Sequence, residues 1–172
     1  MKKLEEYIAE AYNTKSNKLT VQPKNKTELK KIIKDAFAHK QYDLNFIDTS
    51  KITDMSLLFS NCMHNFDVSG WDVSNVTNMG CTFYKCNVFT GKGLENWDVS
   101  NVTNTSGMFY FCKKFDCDLS RWNVSNVTDM YSMFTACENF KGKGLENWDV
   151  SKVEDMKYMF KGCNKLTIPD WY

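Results

Sequence analysis

Five of the seven cysteines keep step along this chain. Cys62, Cys86, Cys112, Cys137 and Cys163 are separated by 24, 26, 25 and 26 residues. A thiol repeated at such an interval has several chemical readings. A nucleophile needs a base within hydrogen-bond reach, and the only histidines are His39 and His64. His64 follows Cys62 closely, but Cys62 reads as a core position and His64 as an exposed loop residue. Zinc would draw on Cys81-x4-Cys86 and Cys112-x4-Cys117. That spacing is marginal, and Cys81 and Cys117 sit at different repeat positions, against the usual closed geometry. Five ladder cysteines cannot all pair as disulfides, and an odd total leaves one thiol over. The expected reading is a column of small buried hydrophobes with weak S–H donors. It implies no catalytic residue, no metal and no cofactor, with Cys81 and Cys117 the thiols most open to reagent.

Other polar residues recur with the same period. Asp72, Asp98, Asn123 and Asp149 form a column that calcium could use. Calcium-binding coils need Gly-rich turns with repeated Asp, whereas these turns read Asn-Val-Thr or Lys-Val-Glu. An Asn in the column fits an acceptor oxygen that caps neighbouring N–H groups. The glycosylation-type triplets at Asn75, Asn101 and Asn126 are generated by the repeat and carry no information about secretion. The Gly-Lys-Gly pairs at 91–93 and 142–144 lack the Lys-Ser/Thr ending and the helix context of a phosphate loop.

What positions these residues is a tandem repeat. Trp71-Asp-Val-Ser-Asn-Val-Thr77 returns from Trp97, from Trp122 and from Trp148, with a degenerate first copy at Ile47–Thr53. Gly-Lys-Gly-Leu-Glu-Asn-Trp stands identically at 91–97 and 142–148, alternating with Asp67-Val-Ser-Gly70 and Asp118-Leu-Ser-Arg121. Inside a unit, Val127, Met130, Met133, Phe134 and Cys137 follow the spacing i, i+3, i+6, i+7, i+10, which predicts a short helix, α or 3-10. Trp122 and Val124 alternate as in a short strand. Each unit therefore reads as strand, turn, short helix, turn. One unit cannot bury its apolar face alone, so copies must stack. The expected fold is an α+β repeat solenoid of about five coils of ~25 residues, rising ~24 Å at ~4.8 Å per stacked strand. Trp71, Trp97, Trp122 and Trp148 would form one structural ladder and the five cysteines another.

Such a stack needs covered ends. Residues 1–42 read as a helical N-terminal cap and 43–172 as the repeat solenoid, one domain in total. Leu29, Ile32, Ile33, Ala36 and Phe37 make a helical stripe, with Asn25 or Thr27 as its cap. A further helix is expected around residues 2–12, and a short strand from Leu19 to Gln22 that ends at Pro23. Leu166-Thr167-Ile168 reads as a half-strand stopped by Pro169.

Asp118-Leu-Ser-x-Trp-Asn-Val-Ser-Asn-Val-Thr-Asp-Met-x-x-Met-Phe-x-x-Cys137 resembles the 26-residue repeat of mycoplasma-type bacterial surface proteins, related to the BspA-like leucine-rich repeats. The resemblance covers 43–172, and the helix entered through Pro23-Lys-Asn-Lys26 is also typical. It implies a right-handed coil with parallel strands. Members are mostly surface, adhesion or interaction proteins whose activity is not characterised. This chain departs from exported members: Glu5, Glu6 and Glu10 interrupt any signal-like apolar run, and no lipobox is present. The expectation is a cytoplasmic location for the chain as it stands, or the cell surface where a leader has been removed.

Charge and composition narrow the function classes. Lys plus Arg number 22 and Asp plus Glu 21, which gives no electrostatic footprint for nucleic acid. No segment reads as a membrane span. The expected function is a non-enzymatic repeat scaffold for protein–protein interaction, with an unidentified protein partner. A structural or self-assembling surface protein is the alternative, and the chain is expected to be a monomer or to associate end to end. A thiol- or metal-dependent enzyme stands behind both. Specificity would come from positions that vary between coils, chiefly Tyr84, Tyr110, Tyr131 and Tyr158, with Lys85, Phe111 and Lys157 beside them.

Overall fold

The computed structural model describes residues 21–172; the helix expected around 2–12, together with Leu19 and Thr20, lies outside them. Helix α1, Lys26–Ala38, starts just after Asn25, which is extended and whose side chain accepts the Glu28 N–H at 3.0 Å. Glu28 reaches back to accept the Lys24 N–H at 2.8 Å. Leu29, Ile33 and Ala36 point to one side and are buried. The helix stops at Lys40, whose φ is 58°, while the Gln41 N–H returns to the Ala36 carbonyl at 2.9 Å. Lys26 ties α1 to the first repeat through an ion pair with Asp54 at 2.8 Å.

Successive repeats are bridged in parallel at Asp54–Asn78, Asn78–Asn104, Asn104–Asp129 and Asp129–Asp155. From each bridge the N–H groups of alternate residues donate to the next repeat. Met79, Cys81, Phe83 and Lys85 donate to the carbonyls of Asn104, Ser106, Met108 and Tyr110 at 2.8, 2.8, 2.9 and 2.7 Å. The same four-bond pattern joins 55–61 to 78–84, 105–111 to 129–135 and 130–136 to 155–161.

The residues between them fold back on their own repeat. Thr82, Tyr84 and Cys86 donate to the carbonyls three positions earlier, Met79, Cys81 and Phe83. Each Met/Phe segment is thus a run of overlapping turns, where the apolar spacing predicted a helix. Two positions in every repeat hold positive φ. One column is Leu57, Cys81, Gly107, Ser132 and Tyr158; the other is Asn61, Lys85, Phe111, Ala136 and Gly162. A left-handed residue every fourth position stops helix propagation, at roughly 1–2 kcal/mol for each non-glycine. In every repeat but the last, the donors at those positions are held by the neighbouring repeat, which offsets the strain there. The i, i+3 pattern therefore reports stacked turns, each closed by a three-residue return bond. The strand expected at Trp122–Val124 is likewise absent, and the single-residue parallel bridges lie further along the repeat, at Asn104, Asp129 and Asp155. The 3-10 turns lie elsewhere, at Leu94–Asn96 and Leu145–Asn147, just before Trp97 and Trp148.

Stacking aligns identical side chains. Phe59, Phe83, Phe109 and Phe134 lie ring over ring at 5.5 Å with interplanar angles of 4°, 2° and 12°. Trp71 lies over Trp97 at 6.5 Å and 3°. Each buried ring contributes about 2–3 kcal/mol of hydrophobic stabilisation, and one continuous core runs from Leu29 in α1 to Phe160. The two alternating repeat edges also fit one another. A Cβ on Gly144 would stand 2.2 Å from the Ser120 nitrogen, and one on Gly93 would stand 2.6 Å from the Ser69 Cβ. The Gly-Lys-Gly edge therefore closes on the Asp-x-Ser edge of the preceding repeat, where no side chain fits.

Candidate functional site

The cysteine ladder is assembled by the turn just described, whose final N–H comes from the cysteine itself. Cys86, Cys112, Cys137 and Cys163 each direct their thiol at the carbonyl of a phenylalanine one repeat back: Phe59, Phe83, Phe109 and Phe134, at 3.0, 2.9, 3.0 and 3.0 Å. All seven cysteines are free. Burial pushes the Cys86 thiol up to about 12 and that of Cys163 to about 11; Cys112 and Cys137 are held well above the ordinary thiol range for the same reason. These sulfurs are protonated at neutral pH and serve as hydrogen-bond donors between repeats. Cys62, at the first rung, contacts the main-chain carbonyl of His64 at 3.9 Å, while the His64 ring packs on Phe37 and Tyr42. Cys117, expected to be open to reagent, is buried at 6% exposure and lifted to about 12 by burial and then by Glu95. Its position corresponds to Gly91 and Gly142 in adjacent repeats, both of which face inward. Among the described residues no group of three or more His, Cys, Asp or Glu is arranged to hold a metal ion.

The aspartate column caps turns. Asp72, Asp98, Asn123 and Asp149 accept the N–H groups of Ser74, Ser100, Ser125 and Ser151 at 3.0–3.1 Å. Hydrogen bonding from Ser100 and Ser151 holds the Asp98 and Asp149 carboxyls below the ordinary range. The asparagines of the glycosylation-type triplets are engaged too: Asn75, Asn101 and Asn126 donate their amides to the carbonyls of Ser50, Ser74 and Ser100 at 2.9, 2.7 and 2.8 Å.

Trp71, Trp97, Trp122 and Trp148 are buried, with exposures of 4, 2, 5 and 6%. Their indole N–H groups donate to the carbonyls of Leu44, Val68, Leu94 and Leu119. Trp171, which the sequence reading did not assign to the column, extends it: it stacks on Trp148 at 6.3 Å and donates to Leu145 at 2.7 Å.

The four tyrosines converge on one cavity of about 440 Å³ on the turn side of the repeats. They do not share a column. Tyr84 and Tyr110 occupy one repeat position and stack at 4.8 Å and 8°. Tyr131 belongs to the position of Gly80 and Ser106, and Tyr158 to the left-handed column. These two meet edge to face at 5.9 Å and are 43% and 55% exposed. The cavity exists because small residues face it: Cys81, Gly107, Ser132 and Thr135 line it between the rings. Lys161 completes the rim, its ammonium 5.6 Å from the centre of the Tyr158 ring. Sequence reasoning picked out the rings and missed the small residues. Their signal was present, since Thr135 and Lys161 stand in register with Tyr84 and Tyr110.

Successive copies of the sequence repeat are bridged in parallel, and the aromatic cavity lies at positions that vary between them. The chain is a member of the family described as Mycoplasma protein of unknown function, DUF285, which it matches over residues 27–141 and again over 81–171. No curated protein and no solved structure matches it.

Proposed function

We propose that this chain is a non-enzymatic, BspA-like repeat scaffold that binds a protein partner, at a cell or host surface, through the tyrosine-lined cavity. In this reading the parallel bridging of repeats is that of a short right-handed leucine-rich-repeat-like solenoid, closed at its start by α1. One observation carries the functional reading. The apolar residues identical between repeats form the core, whereas Tyr84, Tyr110, Tyr131 and Tyr158 come from three different repeat positions and gather in one place. Large amphipathic rings over an accessible cavity are the chemistry of interface anchors. The test is the triple variant Tyr110→Ser, Tyr131→Ser, Tyr158→Ser, compared with the parent by affinity capture from native and host lysates. Its circular dichroism and cooperative unfolding are expected to stay near those of the parent, while the complex the parent captures is lost. Capture of the same partner at equal strength would remove this face from the argument.

Self-assembly is favoured by a different observation. In the last repeat the N–H groups of Met156, Tyr158, Phe160 and Gly162, whose equivalents all donate to a following repeat, carry no hydrogen bond among the described residues. An open row of donors invites pairing with a second copy. Light scattering across a concentration series separates the readings: growing oligomers support end-to-end stacking, and a constant monomer mass excludes it.

A further inference from the structure

The cavity has a shape that specifies its occupant more closely. Tyr84 and Tyr110 are two rungs of a ring stack at 4.8 Å, nearly parallel at 8°. The next rung in register is Thr135 and the one after it is Lys161, and both line the cavity. The stack therefore stops at Tyr110 with one rung left vacant by a short side chain. One repeat step is close to the separation of offset-stacked aromatic rings, so the vacancy has the thickness of one flat ring. Tyr131 and Tyr158, already edge to face with each other, stand beside it.

The polarity of the lining selects among flat ligands. The Thr135 hydroxyl donates to the Tyr158 carbonyl at 2.6 Å, and the Ser106 hydroxyl donates to Asn104 at 2.7 Å. No carboxylate or amide side chain lines the cavity. A sugar ring brings several hydroxyls, and the lining offers them phenol and Ser/Thr hydroxyls and the Lys161 ammonium, without a carboxylate or amide to engage two of them at once. An aromatic ring needs faces and edges, which the tyrosines offer, and a nearby cation, which Lys161 offers. The four phenol hydroxyls have no partner among the described residues and are free to meet the main-chain carbonyls of a peptide.

We infer that the cavity is an acceptor slot for one aromatic side chain of a partner protein, which inserts at the Thr135 rung and stacks on Tyr110. This rests on the interaction reading above and names the chemistry of its partner. The test uses the intact chain and three probes: N-acetyl-tryptophanamide, N-acetyl-cyclohexylalaninamide and methyl glucoside, followed by saturation-transfer and amide-shift NMR. The aromatic amide is expected to bind, to shift the amides of Gly107, Ser132 and Thr135, and to outcompete the other two probes. Thr135→Tyr fills the slot with the residue this position already carries in two repeats; it gives up the bond to the Tyr158 carbonyl, and its fold is checked by Tm and circular dichroism before binding is read. It should weaken the aromatic probe at least tenfold. Tyr110→Ser, which copies Ser60 at the same position, removes the platform and should do the same. Equal binding of the aromatic probe to parent and Thr135→Tyr overturns the slot, as does preference for methyl glucoside or the cyclohexyl probe. If the slot fails while the triple tyrosine variant still loses its captured partner, the interaction reading stands and only the ring-insertion chemistry falls.

Discussion

Residues 122–137 and 148–163 spell almost the same motif, from Trp-Asn/Asp-Val-Ser to Met-Phe-x-x-Cys, but the molecule treats them differently. In the first, Val124, Val127, Met130 and Cys137 are 2, 1, 0 and 0% exposed. In the second, Val150, Val153, Met156 and Cys163 are only half-buried. Both repeats make the same internal turns, so local sequence accounts for none of the difference. What differs is the following repeat. Residues 122–137 are covered by 148–163, while among the described residues 148–163 are packed by Leu166, Trp171 and Tyr172 and by no further repeat. Burial here is a property of place in the stack, and so are the thiol chemistry and the energetic weight of each rung.

The largest expected effect tests that claim directly. Trp122→Ala opens a cavity between two covered repeats and should destabilise the fold by ~3–5 kcal/mol. Trp97→Ala and Trp148→Ala should behave alike, since both rings are buried in the same column. Trp171→Ala removes a half-buried ring with one neighbour in the column, and should destabilise by ~1–2 kcal/mol, from partial burial and one indole hydrogen bond. Urea denaturation midpoints at constant slope give the comparison. Equal losses for Trp122 and Trp171 would show that each repeat is stabilised internally, and the contrast between middle and end would collapse.

Thiol accessibility sharpens the contrast along another column. Cys86, Cys112 and Cys137 are fully buried and their thiols are raised by burial; Cys62, Cys81 and Cys163 are half-buried. Reaction requires the thiolate and access together. Under native conditions a disulfide reagent should modify Cys62, Cys81 and Cys163 first. Cys86, Cys112, Cys137 and Cys117 should follow at a rate set by unfolding. Mass spectrometry of quenched time points resolves the order. Modification of Cys112 as fast as Cys163 would contradict a closed middle.

The period, the Trp and Cys columns and the cap at Asn25 were legible in the sequence because each is a repeated or local signal. Thr77, Thr103 and Thr128 recur for the same reason as the bonds they make, each N–H reaching the threonine one repeat earlier. The turn conformation was not legible. Leu57, Cys81, Ser132 and Tyr158 share a left-handed backbone that no residue type announces; at the first three an N–H bond to the following repeat holds it. Apolar spacing alone therefore read as a helix. The cavity was half legible. Its rings stand out by type, but its existence depends on Gly107 and Thr135 being small in register with larger residues, which shows only once the repeats are superposed in space.

The smallest expected effect lies where the two repeats differ by one atom type. Asn123 in the middle repeat and Asp149 in the last perform the same task, each accepting the N–H two residues on at 3.1 and 3.0 Å. Only Asp149 titrates. Its carboxyl is lowered by hydrogen bonding from the Ser151 side chain, then by the Ser151 backbone N–H, with a contribution from Lys152. A carboxylate lowered in the folded state contributes stability that is fully present above the unfolded value of about 3.9. That contribution is lost as pH falls through the folded value, so the affected window lies below about pH 4. Asp149→Asn makes the last repeat read like the middle one at this position and removes one titrating group. The variant should match the parent's fold at neutral pH and lose less stability on acidification. The reverse change, Asn123→Asp, should add acid sensitivity at a rung that now has none. Thermal unfolding of the three proteins between pH 6 and the acid limit, at fixed ionic strength, gives the slopes. Indistinguishable slopes would mean that the column works through its acceptor oxygen alone, with its charge contributing nothing at either place in the stack.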